Sequence, residues 1–96
     1  MGQYYVYILA SKRNGTLYIG VTNNLLERIH QHKEAVTKGF AHRYNVHNLV
    51  YYEVFNRIQD AITREKRMKK WNRAWKIELI EKSNPNWEGL FDSLST

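Results

Sequence analysis

The sequence contains no cysteine and only one proline. Without thiols the chain can form no disulfide, offers no thiolate nucleophile and holds no cysteine-ligated zinc. With one proline and five glycines in 96 residues, it is neither a linker nor a collagen-like chain. No apolar run is long enough to cross a bilayer, and the N-terminus lacks the basic and apolar segments of a signal peptide. We therefore expect a cytoplasmic protein with no membrane partner.

Positive charge and aromatic side chains are abundant instead. Lysine and arginine number 15 against 9 acidic residues, which gives a formal net charge of +6, and 14% of the residues are aromatic. A hydrophobic fraction of 43% is typical of a globular protein, and the length suits a single domain over residues 1–96. The excess of positive charge favours a polyanionic partner such as nucleic acid.

Three short segments rich in aromatic and β-branched residues predict strands over 4–9, 16–21 and 49–55. Asn14-Gly15 lies between the first two, and this dipeptide is the strongest short signal for a hairpin. Because side chains alternate along a strand, we expect Tyr5, Tyr7 and Leu9 on one face, and Thr16, Tyr18 and Gly20 on one face of the second strand.

Helical spacing of apolar residues predicts helices over 25–38 and 58–82. Asn24 and Glu27 form a capping pattern before the first helix, and Asn72 can cap a new helix that divides the second. Residues 40–47 are expected to form a loop, and the tail from Ser83 to pack through its apolar side chains: Trp87, Leu90 and Phe91. The result is an α/β (α+β) domain of order β-β-α-β-α-α, with a small, largely antiparallel sheet flanked by helices.

Glu65 falls within the apolar stripe of the long helical segment. A carboxylate directed toward a core is costly unless it is paired, hydrogen-bonded or bound to a metal ion. Spacing alone favours a salt bridge to one of the many nearby basic residues, and a metal ligand is the alternative.

Arg28 and His32 are four residues apart on the first predicted helix and so point the same way. Tyr18, on the strand before that helix, can face the same hollow. Without further information a solvated Arg–His face is the more common explanation. His30 and His32 diverge by about 200° on a helix and cannot chelate one metal ion.

Basic residues crowd the segment from Arg57 to Lys76, which also contains Trp71 and Trp75. Cationic and aromatic side chains in alternation suit a groove that follows a nucleic-acid backbone and stacks bases. Alternatively, the tryptophans are core residues and the lysines form a solvent-exposed surface. For Trp75 we favour the core, because it shares a helical stripe with Leu79.

The whole arrangement, from Tyr5 to about Trp87, resembles the GIY-YIG nuclease family. Tyr5-Val6-Tyr7 stands in place of the first tripeptide, and Tyr18-Ile19-Gly20 is the second. Arg28 follows ten residues after Tyr18, His32 one turn later, and Glu65 matches the metal-binding carboxylate of the family. The resemblance is closest to the small single-domain bacterial branch related to the N-terminal nuclease domain of the excision-repair endonuclease.

Two departures from the family pattern stand out. The first tripeptide is Tyr-Val-Tyr rather than Gly-Ile-Tyr, although Tyr7 keeps the phenol. The late asparagine of the family has no single counterpart: Asn84 and Asn86 lie nearby, whereas the simplest alignment through Pro85 puts Glu88 at that position.

The resemblance implies a metal-dependent DNA endonuclease, structure-directed or weakly specific, with a role in DNA repair or recombination. Its catalytic residues would be Tyr7, Tyr18, Arg28, His32 and Glu65, with Glu65 holding Mg²⁺ or Mn²⁺ against the scissile phosphate and Arg28 clamping the phosphate oxygens. Tyr7 or Tyr18 would activate or position the attacking water, and His32 would relay a proton or orient a tyrosine.

Nuclease members of the family carry a separate DNA-binding domain, and none is visible here. The chain's own basic face would then hold DNA, or a protein partner would supply specificity. The candidate nucleic-acid contacts are basic side chains: Arg43, Arg64, Lys66, Arg67, Lys69, Lys70 and Arg73. RNA remains an alternative substrate, and a non-catalytic nucleic-acid-binding or interaction module on the same fold is the alternative function.

Overall fold

A computed structural model describes residues 2–37 and 46–95, with side chains for 2–34 and 46–94. The elements in chain order are β1 (Tyr4–Ala10), β2 (Leu17–Thr22), α1 (Leu25–Thr37), β3 (Asn48–Phe55), α2 (Ile58–Lys70), α3 (Arg73–Ser83) and α4 (Phe91–Ser95). The α+β class and the predicted order are confirmed, and α4 adds a short helix to the tail. Most of the predicted 40–47 loop lies outside the described residues.

The three strands form one antiparallel sheet of order β2-β1-β3. Its central strand, β1, is fully buried from Val6 to Ala10, because neighbouring strands flank it and helices cover it. The β1–β2 hairpin is confirmed, and Asn14 at its tip has a φ of 58°, a left-handed conformation that asparagine tolerates. The register sets Tyr7 opposite Gly20 and Leu9 opposite Tyr18, so these side chains share a face.

Helices cover both faces of the sheet. On one face α2 and α3 bury Val6, Ile8, Met68 and Ile80. On the other, α1 and the tail pack against Tyr7 and its neighbours, in a cluster formed by Tyr7, Leu9, Leu25, Ile29 and Leu49. The two tyrosines of the tripeptides therefore belong to the α1 face, whereas Glu65 is carried by a helix on the other face.

The break in the long helical segment is confirmed at Asn72. Its side chain accepts a hydrogen bond of 2.9 Å from the backbone N–H of Trp75 and caps α3. The expected burial of Trp75 is wrong, because 57% of this residue is exposed. Ile80 is the buried residue of α3, and Trp75, five residues earlier, lies about 140° away around the helix.

The tail is fixed to the sheet by buried Asn84. Its amide group donates to the carbonyl oxygens of Val50 (3.0 Å) and Glu88 (2.9 Å), and its Oδ1 accepts from the N–H of Glu88. Trp87 is also buried, as expected, and Leu90 and Phe91 pack against the α1 face. Within the described ranges, no helix is both long and apolar enough to span a bilayer.

Candidate active site

The hydroxyl of Tyr7 links strand β1 to helix α1. Arg28 Nε donates a hydrogen bond of 3.3 Å to this hydroxyl, and His32 Nε2 lies 3.4 Å from it. Arg28 Nη1 also donates to the side chain of Gln31, at 3.3 Å. Because Arg28 and His32 are one turn apart on α1, both can reach the same phenol of β1. The solvated Arg–His face is therefore replaced by a joint cluster on Tyr7.

The protonation states of this cluster follow from its burial. Burial raises the pKa of Tyr7, and the opposing effect of Arg28 is smaller, so the phenol keeps its proton at neutral pH. Burial and the charge of Arg28 lower the pKa of His32, which is then neutral at pH 7. In one tautomer of His32 the Tyr7 hydroxyl accepts from Arg28 and donates to the lone pair of Nε2, and in the other it accepts from both Arg28 Nε and His32 Nε2.

Tyr18 is the exposed tyrosine of the cluster. Its ring centroid lies 5.1 Å from that of His32 and 6.2 Å from that of Tyr7. Tyr7 has no exposed surface, whereas 40% of Tyr18 is exposed. A molecule in solvent can therefore touch Tyr18 directly and Tyr7 only through its neighbours.

Glu65 is nearly buried on α2, with 14% of its side chain exposed, and it pairs with Lys69 one turn later. Lys69 Nζ lies 2.9 Å from Glu65 Oε2, and this hydrogen bond raises the pKa of Lys69. The electrostatic effect of Tyr18 raises the same pKa, so the ammonium lies within reach of both sheet and helix. The salt bridge expected for Glu65 is present.

The predicted nucleic-acid contacts divide into two sets. The guanidinium of Arg64 makes two hydrogen bonds of 2.9 Å to Glu53, and Arg73 donates to the backbone carbonyls of Asn14 and Gly15, so both are used within the fold. Four others are exposed along α2: Lys66, Arg67, Lys69 and Lys70. Arg43 lies outside the described residues.

A family model described as the GIY-YIG catalytic domain matches residues 3–78 of this chain. The chain belongs to the GIY-YIG family. It is 40% identical over 76 residues to a UPF0213 protein of Clostridium perfringens, covering 79% of this chain and 81% of that one. It is 37% identical over 87 residues to a UPF0213 protein of Syntrophus aciditrophicus, covering 88% and 97%.

A solved structure supports the same assignment. The solution NMR structure of the UPF0213 protein BH0048 from Bacillus halodurans has a TM-score of 0.56, with 29% sequence identity over 91% of this chain and 92% of that one. The resemblance drawn from the two tripeptides is thus confirmed, and with it a nuclease-type catalytic domain of the small single-domain bacterial kind.

The GIY-YIG fold also explains the glycine of the second tripeptide. A Cβ on Gly20 would lie 2.5 Å from the Tyr7 hydroxyl oxygen and 3.0 Å from the ring of Tyr18. Only glycine therefore lets the two tyrosines approach each other across the β1–β2 pair. Asn84, a candidate for the late asparagine of the family, uses its amide to hold the tail.

One residue of the GIY-YIG domain that sequence reasoning missed is Glu53. It accepts both hydrogen bonds of Arg64, and the hydroxyl of Tyr51 donates to it at 2.5 Å. Burial alone would raise the pKa of Glu53, but Arg64 and Tyr51 outweigh it and lower the pKa. The available signal was strand alternation, which puts the Glu53 carboxylate on the same face of the strand as the aromatic residues Tyr51 and Phe55.

A divalent cation would find few protein ligands in the described part of the GIY-YIG domain. Within residues 2–34 and 46–94, no group of three histidine or acidic side chains could form a protein cage. Mg²⁺ is often held by one or two carboxylates plus water and substrate phosphate. Glu65 fits that pattern as a single carboxylate, and a cation bound there would have to displace the ammonium of Lys69.

Proposed function

We propose that this protein is a metal-dependent DNA endonuclease that hydrolyses phosphodiester bonds, is structure-directed or weakly specific, and acts in DNA repair or recombination. The observation that carries the proposal is the convergence of Tyr18, Arg28 and His32 on buried Tyr7, in a chain that also holds a nearly buried carboxylate, Glu65, on α2. The α1 face thus offers a cation, an exposed phenol and a neutral imidazole close together, while the Glu65 carboxylate is carried by α2, which packs against β1 and β2 from the other face.

Arg28 is the candidate clamp for the scissile phosphate. Its Nε is anchored on Tyr7 and its Nη1 on Gln31, while the residue itself is exposed. The hydrogen bond to Tyr7 raises the pKa of Arg28, so the guanidinium stays charged. An anchored guanidinium faces the phosphate with little loss of side-chain entropy and stabilises the additional negative charge of the transition state.

Tyr18 and His32 are the candidates for handling the attacking water. The exposed hydroxyl of Tyr18 orients the water toward phosphorus, and neutral His32, in the tautomer whose Nε2–H donates to Tyr7, accepts the proton of the water at Nδ1. A bond from the water oxygen to phosphorus forms as the bond to the leaving oxygen breaks. Tyr7, which is buried and protonated, fixes the positions of Arg28 and His32.

Glu65 is the candidate ligand for Mg²⁺ or Mn²⁺. When bound there, a divalent ion supplies positive charge that stabilises the leaving oxygen. Lys69 must release the Glu65 carboxylate for this to happen, and its exposed stem allows the ammonium to swing toward a phosphate. The same exposed face offers Lys66, Arg67 and Lys70 to the DNA backbone.

One observation favours a second candidate, a nucleic-acid-binding module without catalysis. The Glu65 carboxylate is already neutralised by Lys69, so the site is electrostatically satisfied without a metal ion. Such a module would keep the salt-sensitive binding of a basic surface.

Cleavage assays on supercoiled plasmid, flap and branched DNA, and matched RNA, with Mg²⁺ or Mn²⁺ at low salt, test the proposal. Glu65→Gln is compared with Asp60→Asn, a change of an exposed carboxylate on the same helix. We expect metal-dependent nicking of DNA by the wild type and Asp60→Asn, and none by Glu65→Gln. Equal nicking by all three would rule out the proposed site, and binding without cleavage would favour the second candidate.

A further inference from the structure

An open groove lies where α2 gives way to α3, away from the Tyr7 cluster. It has a volume of about 320 Å³ and is lined by Trp71, Trp75, Glu78, Leu79 and Lys82. The rings of Trp71 and Trp75 meet edge to face with centroids 6.1 Å apart and form a corner. More than half of Trp75 is exposed, which is unusual for the largest apolar side chain.

Neighbouring side chains hold the Trp71–Trp75 corner in place. The Arg64 guanidinium lies 5.0 Å from the centroid of the Trp71 ring, and Glu53 fixes that guanidinium with two hydrogen bonds. Asn72 caps α3 through the N–H of Trp75. An aromatic surface that is fixed before binding loses little entropy when a flat ligand stacks on it.

The surroundings of the groove attract a polyanion. Residues 64–82 contain eight basic side chains and three acidic ones. Glu65 pairs with Lys69, and Glu81 accepts from the indole N–H of Trp87 at 2.7 Å, while the third acid, Glu78, lines the groove together with Lys82. An exposed aromatic surface within a strongly cationic region matches the flat faces and phosphates of nucleic acid.

We propose that the Trp71–Trp75 groove is a stacking site for an unpaired nucleobase that flanks the phosphodiester to be cleaved. The inference rests on the proposed nuclease function and adds a binding site to it. Trp71 follows Glu65 by six residues, which corresponds to about 9 Å along a helix axis. A strand whose phosphate lies at Glu65 can therefore reach the Trp71 side of the groove, where the Trp75 ring centroid lies 6.1 Å away, with a nearby nucleotide whose base is free to turn out of a duplex.

The test compares three DNA probes in the Glu65→Gln background, where we expect no cleavage. The probes are a short mixed-sequence single strand, a blunt duplex, and the same duplex with a single-stranded flank. Affinity is measured by titration at fixed low salt for unchanged Trp75, Trp75→Ala, Trp75→Phe and Val54→Ala. Val54 is a matched control, since it is an exposed apolar residue on β3.

We expect Trp75→Ala to weaken binding of the single strand and the flanked duplex by roughly 5- to 100-fold, the effect of losing one base–aromatic stack. Trp75→Phe should recover most of the affinity. Val54→Ala should change the affinity for every probe only slightly, and Trp75→Ala should change the affinity for the blunt duplex only slightly. Replacing one base of the flank by an abasic site should reproduce the loss in the Trp75 protein and have no further effect in Trp75→Ala.

Unchanged affinity of Trp75→Ala for all probes, or an equal loss for all three, would overturn the stacking site. A Trp75-dependent shift from dimer to monomer in light scattering, without a change in DNA affinity, would also overturn it and assign the groove to a second copy of the chain. Plasmid nicking by otherwise wild-type protein separates the two ideas. If the protein nicks plasmid but Trp75→Ala does not change DNA affinity, the stacking site is wrong and the nuclease function is supported. If Trp75→Ala weakens DNA binding but no nicking occurs, the nuclease function is wrong and the stacking site is supported.

Discussion

Tyr7 and Gly20 face each other across β1 and β2 so closely that a Cβ on Gly20 would lie 2.5 Å from the Tyr7 hydroxyl oxygen. Tyr7 is the residue that contacts both Arg28 and His32. The glycine of the second tripeptide thus sets the position of the phenol on which the candidate site is built.

Gly20→Ala is expected to destabilise the protein by about 1–3 kcal/mol, because the added methyl group displaces a fully buried ring. Urea unfolding checks the loss of stability. Gly89→Ala is the matched control, since a Cβ there would meet nothing within 4 Å, and its change should stay within about 0.5 kcal/mol. Equal stability of the two variants would show that Tyr7 is not fixed by Gly20.

We expect the protein to lose stability in mild acid, because protonation of His32 favours the unfolded chain. Its pKa is lowered in the folded state by burial and by Arg28, so the unfolded chain binds the proton more tightly. The contribution of neutral His32 is present above about pH 6.5, the ordinary histidine value, and is lost as pH falls through the lower folded pKa. Thermal unfolding across this range should show a smaller pH dependence for His32→Asn.

The same comparison has a matched control in His30→Asn, because His30 is an exposed residue paired with Glu34 on the same helix. The His30 variant should keep the acid sensitivity of the wild type. Identical pH profiles for the wild type and His32→Asn would show that the imidazole is not held neutral by the fold. If His32 accepts the proton of the attacking water, cleavage should fall over the same range of pH.

Sequence patterns predicted the parts of this structure that depend on local chemistry. The turn at Asn14, the cap at Asn72 and the one-turn spacing of Arg28 and His32 each depend on residues that lie within a few positions of each other in the sequence. The exposure of Trp75 was not predictable, since apolar spacing shows that Trp75 and Leu79 share a stripe but not which stripe meets the sheet. Ile80 is buried in the core, and Ile77 and Leu79 pack against that core. This docking fixes the rotation of α3 that leaves Trp75 exposed.

Local sequence patterns also could not predict which residues far apart in the sequence contact each other. Tyr7 meets Gly20 through the register of the hairpin, and Glu53 meets Arg64 through the docking of α2 on β3. Both contacts depend on which residues end up opposite each other after packing. Strand alternation grouped Tyr7 with Leu9 and Tyr18 with Gly20, and the register of the hairpin, with Tyr7 opposite Gly20 and Leu9 opposite Tyr18, then puts the two groups on one face.

Lys69 is expected to compete with divalent cations for Glu65. Lys69→Met should increase the affinity for Mn²⁺ in the absence of DNA by about 2- to 10-fold, the modest size being that of a partly exposed ion pair. Titration followed by Mn²⁺ electron paramagnetic resonance measures this directly. Lys66→Met removes an exposed charge from the same helix and should have a smaller effect.

An increase in affinity that is equal for both lysine variants would indicate general electrostatics rather than competition at the carboxylate. No Mn²⁺ binding by either variant would remove Glu65 as a metal ligand. The Glu65→Gln change supplies the internal reference, because it should abolish the bound signal in the Lys69→Met background.

Glu53 is expected to support α2 and the Trp71 ring through Arg64. Glu53→Gln should cost about 1–2 kcal/mol of unfolding free energy, because it removes the charge from a pair with side-chain exposures of 30% and 19%. Since the pKa of Glu53 is lowered, the stabilisation is present above the ordinary glutamate value near pH 4.3 and is lost as pH falls through the folded pKa. The stability difference between wild type and variant should therefore shrink in acid.

Urea unfolding at neutral and acidic pH checks this, with Glu34→Gln as the control for an exposed carboxylate. A stability gap that stays constant as pH falls would mean that the Glu53–Arg64 pair is not the source of the effect. The Glu53→Gln variant should also affect the proposed stacking site. Once Arg64 is released from Glu53 it no longer fixes Trp71, so Glu53→Gln should weaken single-strand binding more than blunt-duplex binding, in the same direction as Trp75→Ala.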